Sequence, residues 1–163
     1  MHKKLLTAAI AGIVATGFAL SASAQLAEKK GMTLAEAKKL LAAAEDAAQK
    51  GNAHMGLAVL DDGGHLVAFE RMDGASLVTV EFAQAKANTA VMYKAPTDVF
   101  STGLSKGGAG VAILGLPQMA PFGGGFPLIV DGQVVGAIGC SGGNSPTQDS
   151  EVCKAAVAAV NNK

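Results

Sequence analysis

The stretch "FPLIVDGQVVGAIGCSGGNSPTQDSE", residues 126–151, contains two short apolar runs, a tight turn and the start of a helix. Asp131-Gly132 separates the two runs, and such a dipeptide is typical of a two-residue hairpin turn. The residues that follow predict a helix start. Ser145 suits the N-cap, Pro146 suits the first helical position, and Gln148 stands where a capping box has its second side chain. The stretch therefore predicts a β-hairpin followed directly by a helix.

The earlier part of the chain has the same mixture of helices and hairpins. Thr33 and Glu36 have capping-box spacing at the start of an amphipathic helix, which Gly51 ends. A further hairpin is predicted, with one strand on either side of the turn at residues 61–64, "DDGG". A second helix is predicted over residues 76–94. Two hairpins and three helices with local connections predict a single α+β layered domain, in which helices flank an antiparallel sheet.

The segment over residues 103–125 is rich in glycine and proline, which predicts a long loop. A loop of this length in a small domain is usually functional or mobile, so it is a candidate ligand or partner surface. This loop contains Met119, which has a polarizable thioether, and Phe122, which has an aromatic ring. Both side chains are suited to contact an apolar cofactor.

The N-terminus is typical of a secretory signal peptide. Basic residues at positions 2–4 precede an apolar run of about 16 residues, shorter than the roughly 20 that cross a bilayer. Ala22-Ser23-Ala24 fits a signal-peptidase site. Residues 1–24 are therefore expected to be cleaved, leaving residues 25–163 as one domain in the periplasm or outside the cell.

The charge balance excludes some partners. The chain has 13 basic and 13 acidic residues, and Lys3 and Lys4 belong to the predicted signal peptide. The mature chain is slightly acidic and has no basic field with which to hold nucleic acid or an anionic membrane.

The sequence "GCSGG", residues 139–143, resembles the setting of a hydrolase nucleophile. An α/β-hydrolase nucleophile would need a histidine later in the chain, and none follows Ser141. A chymotrypsin-like fold needs two β-barrels, which do not fit so helical a chain. The glycines instead favour a sharp turn whose amides, before a helix N-terminus, could bind an anion such as a carboxylate or propionate.

The two cysteines, Cys140 and Cys153, lie in the predicted exported domain. An oxidising compartment permits a disulfide between them. The alternative is a pair of small buried apolar residues, and the sequence leaves both open because it does not fix their separation.

Three polar residues are candidates for ligand binding. His65 and Arg71 share one face of a predicted strand but lie roughly 20 Å apart, so they cannot form one tight site. His65 is interpreted either as a surface histidine or as a ligand of a metal or heme iron, and Arg71 either binds a carboxylate or pairs with Asp73. Lys86 lies in a helix of small residues, where it either has a solvated or snorkelling side chain or anchors an anionic group.

Three blocks together resemble the GlcG/HbpS-like family, which includes the C-terminal domain of PduO-type proteins. These are "LDDGGHLVAFERMDGA" (residues 60–75), "AQAKANTA" (residues 83–90) and "PFGGGFPLIVDGQVVGAIGCSGG" (residues 121–143), followed by the helix that carries Asp149. The resemblance covers residues 32–160.

The resemblance implies a five-stranded antiparallel sheet flanked by helices, and homo-oligomers from dimers to octamers. It implies heme as the cofactor, with corrinoid as the alternative, and for exported members a role with a membrane sensor protein. His65, Arg71, Lys86 and Ser141 fall within the family's blocks.

The leading hypothesis from these observations is an exported heme-binding protein for heme and iron handling or sensing. It has no turnover of its own, or only slow heme degradation, so the sequence favours a binding protein over an enzyme. The cofactor would contact His65, Arg71, Lys86, Met119, Phe122 and Ser141, with His65 on the iron. One alternative is an enzyme in which Arg71, Lys86 and the Ser141 turn hold an organic acid. Another is a sensory module that acts through a membrane partner.

Overall fold

The computed structural model describes residues 28–161, so the predicted signal peptide lies outside the described residues. This part of the chain forms, in order, α1 (Leu34–Lys50), β1 (Gly56–Asp61), β2 (Leu66–Arg71), α2 (Thr79–Tyr93), α3 (Asp98–Ser105), a 3₁₀ helix (Gly108–Gly115), β3 (Gly125–Val130), β4 (Gln133–Ser141) and α4 (Pro146–Asn161). No helix among residues 28–161 combines the length and the apolar character that crossing a membrane requires.

The strands form one antiparallel sheet in the order β2-β1-β4-β3. The α+β class and the antiparallel pairing are confirmed, but the expected number of five strands is wrong for the described residues, which contain four. Between α2 and β3 the chain forms α3 and the 3₁₀ helix, so this segment supplies no further strand. The same helices correct the first part of the long loop that was predicted over residues 103–125, whereas residues 116–124 form no helix or strand, as predicted.

Both hairpins and the helix starts are confirmed. Asp131 and Gly132 have φ angles of 49° and 75°, the left-handed backbone of a two-residue hairpin turn. At the start of α4 the amide of Gln148 donates to the hydroxyl of Ser145, and the Gln148 side chain accepts from the amide of Asn144. The first bond satisfies an orphan amide of the helix start, and together the two bonds hold the turn between β4 and α4 in place.

The sheet carries helices on both faces. Helices α1 and α4 cover one face, where the larger core includes Leu40, Met55, Leu57 and Ile138. Helix α2 covers the other face through small side chains, with Ala83, Ala87 and Ala90 fully buried.

Glycines in the sheet allow α2 to lie directly on it. A Cβ atom at Gly139 of β4 would overlap the carbonyl oxygen of Ala83, and one at Gly125 of β3 would overlap the carbonyl oxygen of Lys86. The close contact needs residues without a side chain at both positions. It brings the middle of α2, and Lys86 with it, against the end of β4.

Candidate functional site

A pocket of about 380 Å³ lies where α2, the segment around Phe122 and the turn between β4 and α4 meet. It is lined by Val78, Phe82, Lys86, Phe122, Gly123, Ser141, Gly143, Asn144, Ser145 and Asp149. A larger cavity of about 580 Å³ lies between α3 and α4. The smaller one is the candidate site because buried polar groups and aromatic rings converge on it, the combination typical of ligand pockets.

A buried ion pair forms the floor of this pocket. The Lys86 ammonium lies 2.6 Å from Oδ2 of Asp149 and donates to the carbonyl oxygen of Cys140 at 3.1 Å. The second carboxylate oxygen of Asp149 accepts the amide N–H of Gly143 at 2.7 Å. Lys86 is only 3% exposed, so the interpretation of its side chain as solvated or snorkelling is wrong. The close packing of α2 on the sheet removes Lys86 from solvent and makes a charged partner necessary.

Ser141 lies beside this pair, at the end of β4. Successive side chains of a strand point to opposite faces, and Cys140 belongs to the core beneath α1 and α4. Ser141 therefore faces α2 and the pocket. It is 8% exposed, and its hydroxyl makes no hydrogen bond to a residue within the described range 28–161.

Two aromatic rings form the mouth of the pocket. The ring centroids of Phe82 and Phe122 are 5.9 Å apart, with an interplanar angle of 54°. Phe122 is 48% exposed and Val78 beside it is also exposed. The pocket therefore has an apolar entrance above a polar floor.

A disulfide joins the two elements that hold the floor. Cys140 at the end of β4 pairs with Cys153 in α4, with the Cα atoms 5.8 Å apart, which settles the choice that the sequence left open. Cys153 follows Asp149 by about one helical turn, and the carbonyl of Cys140 accepts from Lys86. The bridge thus ties together both partners of the Lys86 ammonium.

The structure places His65 outside the pocket lining, in the hairpin turn before β2. Its side chain is 82% exposed, and Nδ1 lies 3.3 Å from Oδ1 of Asp61. That same oxygen accepts the backbone amide of His65, a hydrogen bond that holds the pKa of the Asp61 carboxyl below its usual value. The Asp61 carboxylate lies beside Nδ1, and the exposed imidazole leaves Nε2 available to a ligand.

Arg71 and Met119 also lie outside the pocket lining. Arg71 is exposed at the far end of β2 from His65. Met119 is half-buried in the segment that crosses α2, where its neighbours Gln118 and Ala120 both bond to the hydroxyl of Thr89. Of the six predicted site residues, the pocket therefore brings together Lys86, Phe122 and Ser141.

Sequence reasoning gave no site role to Phe82 or Asp149. Asp149 is 63 residues from Lys86, so no local spacing relates the two side chains. The available indication was an acidic residue in the first turn of a capped helix, a position that the helix dipole favours without any ligand. Within residues 28–161, no group of three or more His, Cys, Asp or Glu side chains is placed to hold a metal ion.

The fold and the site define a small α+β domain with helices on both faces of an antiparallel sheet and a pocket at one end of it. The chain belongs to the family described as "Haem degrading protein HbpS-like", which it matches over residues 32–158.

Known proteins of this kind resemble the chain over most of its length. Protein GlcG of Escherichia coli strain K12 is 38% identical over 105 residues, which are 64% of this chain and 77% of GlcG. A double mutant of HbpS from Streptomyces reticuli is 30% identical, with a TM-score of 0.76 over 93% of this chain and 98% of that one. The crystal structure of a PduOC complex with heme is 33% identical, with a TM-score of 0.72 over 80% of this chain and 96% of that one.

Proposed function

We propose that this protein binds heme, with the porphyrin against Phe82 and Phe122 at the mouth of the pocket. The observation that carries the proposal is this pair of solvent-accessible aromatic rings, which lies over a polar floor. Support comes from the family, described as haem-degrading, and from the likeness to PduOC, whose structure contains heme.

The residues at the pocket mouth fit the apolar faces of a porphyrin. Phe82, Phe122 and the neighbouring Val78 supply an apolar wall, and aromatic side chains favour stacked or edge contacts with a flat ring. The heme carboxylates would lie toward solvent, because the one cation of the lining, Lys86, is already paired with Asp149. A corrinoid is the alternative cofactor, since the same wall would contact its macrocycle.

The iron ligand would come from outside the pocket lining, which includes no His, Met, Tyr or Cys. We retain His65 as the candidate because its imidazole is exposed and imidazole is a common ligand of heme iron. Assembly of the chain into a homo-oligomer, from a dimer to an octamer, would allow His65 of one copy to approach the pocket of another.

The bound iron would supply redox chemistry, while the protein would hold the ring and limit the access of solvent to it. We propose that the protein is exported and acts in heme and iron handling or sensing, with a membrane sensor as partner. Any turnover would be slow, peroxide-dependent degradation of the heme. Export rests on the N-terminal sequence alone, which lies outside the described residues.

Hemin titration of the purified protein, followed at the Soret band, tests the proposal. We expect saturable binding that weakens by about tenfold or more in Phe122→Ala, because a buried Phe side chain contributes about 1.5–3 kcal/mol. Phe100→Ala is the matched control, since Phe100 packs against Tyr93 outside the pocket lining. Equal affinities for both variants, or no saturable binding, would contradict heme binding at this mouth.

The same titration with His65→Ala tests the iron ligand. Loss of an axial imidazole is expected to shift the Soret band and weaken binding, whereas His54→Ala should leave the spectrum unchanged. His54 is a suitable control because it is the other histidine of the described residues and lies outside the pocket lining, with its Nδ1 2.7 Å from the carbonyl oxygen of Asp73. An unchanged spectrum in His65→Ala would exclude His65 as the iron ligand.

A further inference from the structure

The pocket floor retains two hydrogen-bond donors that the protein itself does not use. A lysine ammonium has three N–H groups, and those of Lys86 have two acceptors, Asp149 and the carbonyl of Cys140. The hydroxyl of Ser141 has no partner within residues 28–161 and is accessible from the pocket, while the residue as a whole is more than nine-tenths buried. Both groups line the same pocket. A ligand atom that accepts hydrogen bonds from both would satisfy them.

The charge of the floor selects the kind of acceptor. Lys86 and Asp149 are the two charged residues among those that line the pocket, so its formal charge is zero. A carboxylate ligand would compete with Asp149 for one ammonium, and removing a carboxylate from water costs several kcal/mol. An uncharged carbonyl oxygen costs less to desolvate and can accept two hydrogen bonds.

The walls and the size of the pocket select the rest of the ligand. Val78, Phe82 and Phe122 present apolar surface above the floor, which suits a flat or aromatic body. The volume of about 380 Å³ lies within the range of roughly 300–1,000 Å³ that is usual for small-molecule pockets.

We propose that the floor of this pocket binds the carbonyl oxygen of a small uncharged compound with an apolar body, such as a ketone, an aldehyde or an amide. Ser141 and Lys86 donate to that oxygen, and the two phenylalanine rings contact the apolar body. Such a site differs from the organic-acid site that the sequence suggested, because Arg71 does not line the pocket and no unpaired cation lies there. It also goes beyond heme binding, which would use the same two rings, so the two ligands would compete, but would make no hydrogen bond to the floor.

Three probes of similar shape test the proposal on the heme-free protein: acetophenone, benzoate and ethylbenzene, each titrated by NMR. We expect acetophenone to bind more tightly than either of the others. Ser141→Ala should weaken acetophenone binding roughly three- to tenfold, the usual effect of one hydrogen bond. Ser105→Ala is the control, since Ser105 is an exposed serine of α3 outside the pocket lining.

Several results would overturn the proposal. Ethylbenzene binding as tightly as acetophenone would show that the oxygen makes no useful contact. Tighter binding of benzoate would show that the floor selects an anion, and failure of acetophenone to bind would remove the site. Thermal unfolding of Ser141→Ala shows whether weaker acetophenone binding by this variant comes from loss of the hydroxyl or from loss of the fold. A hemin titration of the wild type separates failure of this proposal from failure of heme binding, because saturable hemin binding without acetophenone binding would overturn the carbonyl site alone.

Discussion

Lys86→Met is expected to lower the free energy of unfolding by about 3–5 kcal/mol, the usual cost of removing one partner of a buried ion pair. The methionine would fill most of the space but leave the buried Asp149 carboxylate with only the Gly143 amide as a donor. The floor of the pocket would then carry an uncompensated charge. Urea denaturation followed by far-UV circular dichroism measures the change.

Lys154→Met is the matched control for this variant. Lys154 is an exposed lysine of α4 with no ion pair to a residue within 28–161, so its replacement should change stability by less than about 0.5 kcal/mol. The double variant Lys86→Met/Asp149→Leu should recover part of the loss, since it removes both buried charges. Wild-type stability in Lys86→Met would show that the ion pair does not support the fold.

The double variant Cys140→Ala/Cys153→Ala should also lose about 3 kcal/mol, which is the effect expected for a disulfide that closes a loop of some 15 residues. The sequence separation of 13 places this bridge in that range. Both cysteines are fully buried, so the alanines would leave a small cavity as well. Chemical denaturation in the presence and absence of a reductant measures the effect.

The reductant provides the control. Once unfolding exposes the disulfide of the wild type, the reductant should cleave it and lower the stability of the wild type toward that of the double variant. The stability of the double variant itself should not change. Equal stability of the wild type and the double variant under oxidising conditions would contradict a stabilising role. Because the bridge holds β4 to α4, we also expect the double variant to bind hemin and acetophenone more weakly.

Much of the fold could be predicted from the sequence because its determinants are local. The turn at Asp131-Gly132 and the capping residues Ser145 and Gln148 act on neighbours within four residues, so their spacing alone indicates the hairpin and the helix start. The 3₁₀ helix over residues 108–115 was missed because its glycines are typical of loops.

The site was only partly predictable, because its determinants are distant in the chain. The Lys86 side chain is buried because Gly125 and Gly139, on two other strands, let α2 lie against the sheet. Its charged partner, Asp149, is on the last helix. The sequence indicated Ser141 through the glycine-rich turn and Lys86 through its place in a helix of small residues, together with the family resemblance. No spacing rule joins residues that tertiary packing brings together.

The most direct test of heme binding at the pocket is the broadening of backbone amide NMR signals by bound hemin, whose ferric iron is paramagnetic. Zinc protoporphyrin, which is diamagnetic, is the matched control for changes that do not come from the iron. We predict that broadening centres on Val78, Phe82, Phe122 and Ser141, which line the pocket. Broadening centred on another surface, such as the exposed side of α1 around Lys39, would contradict the proposal.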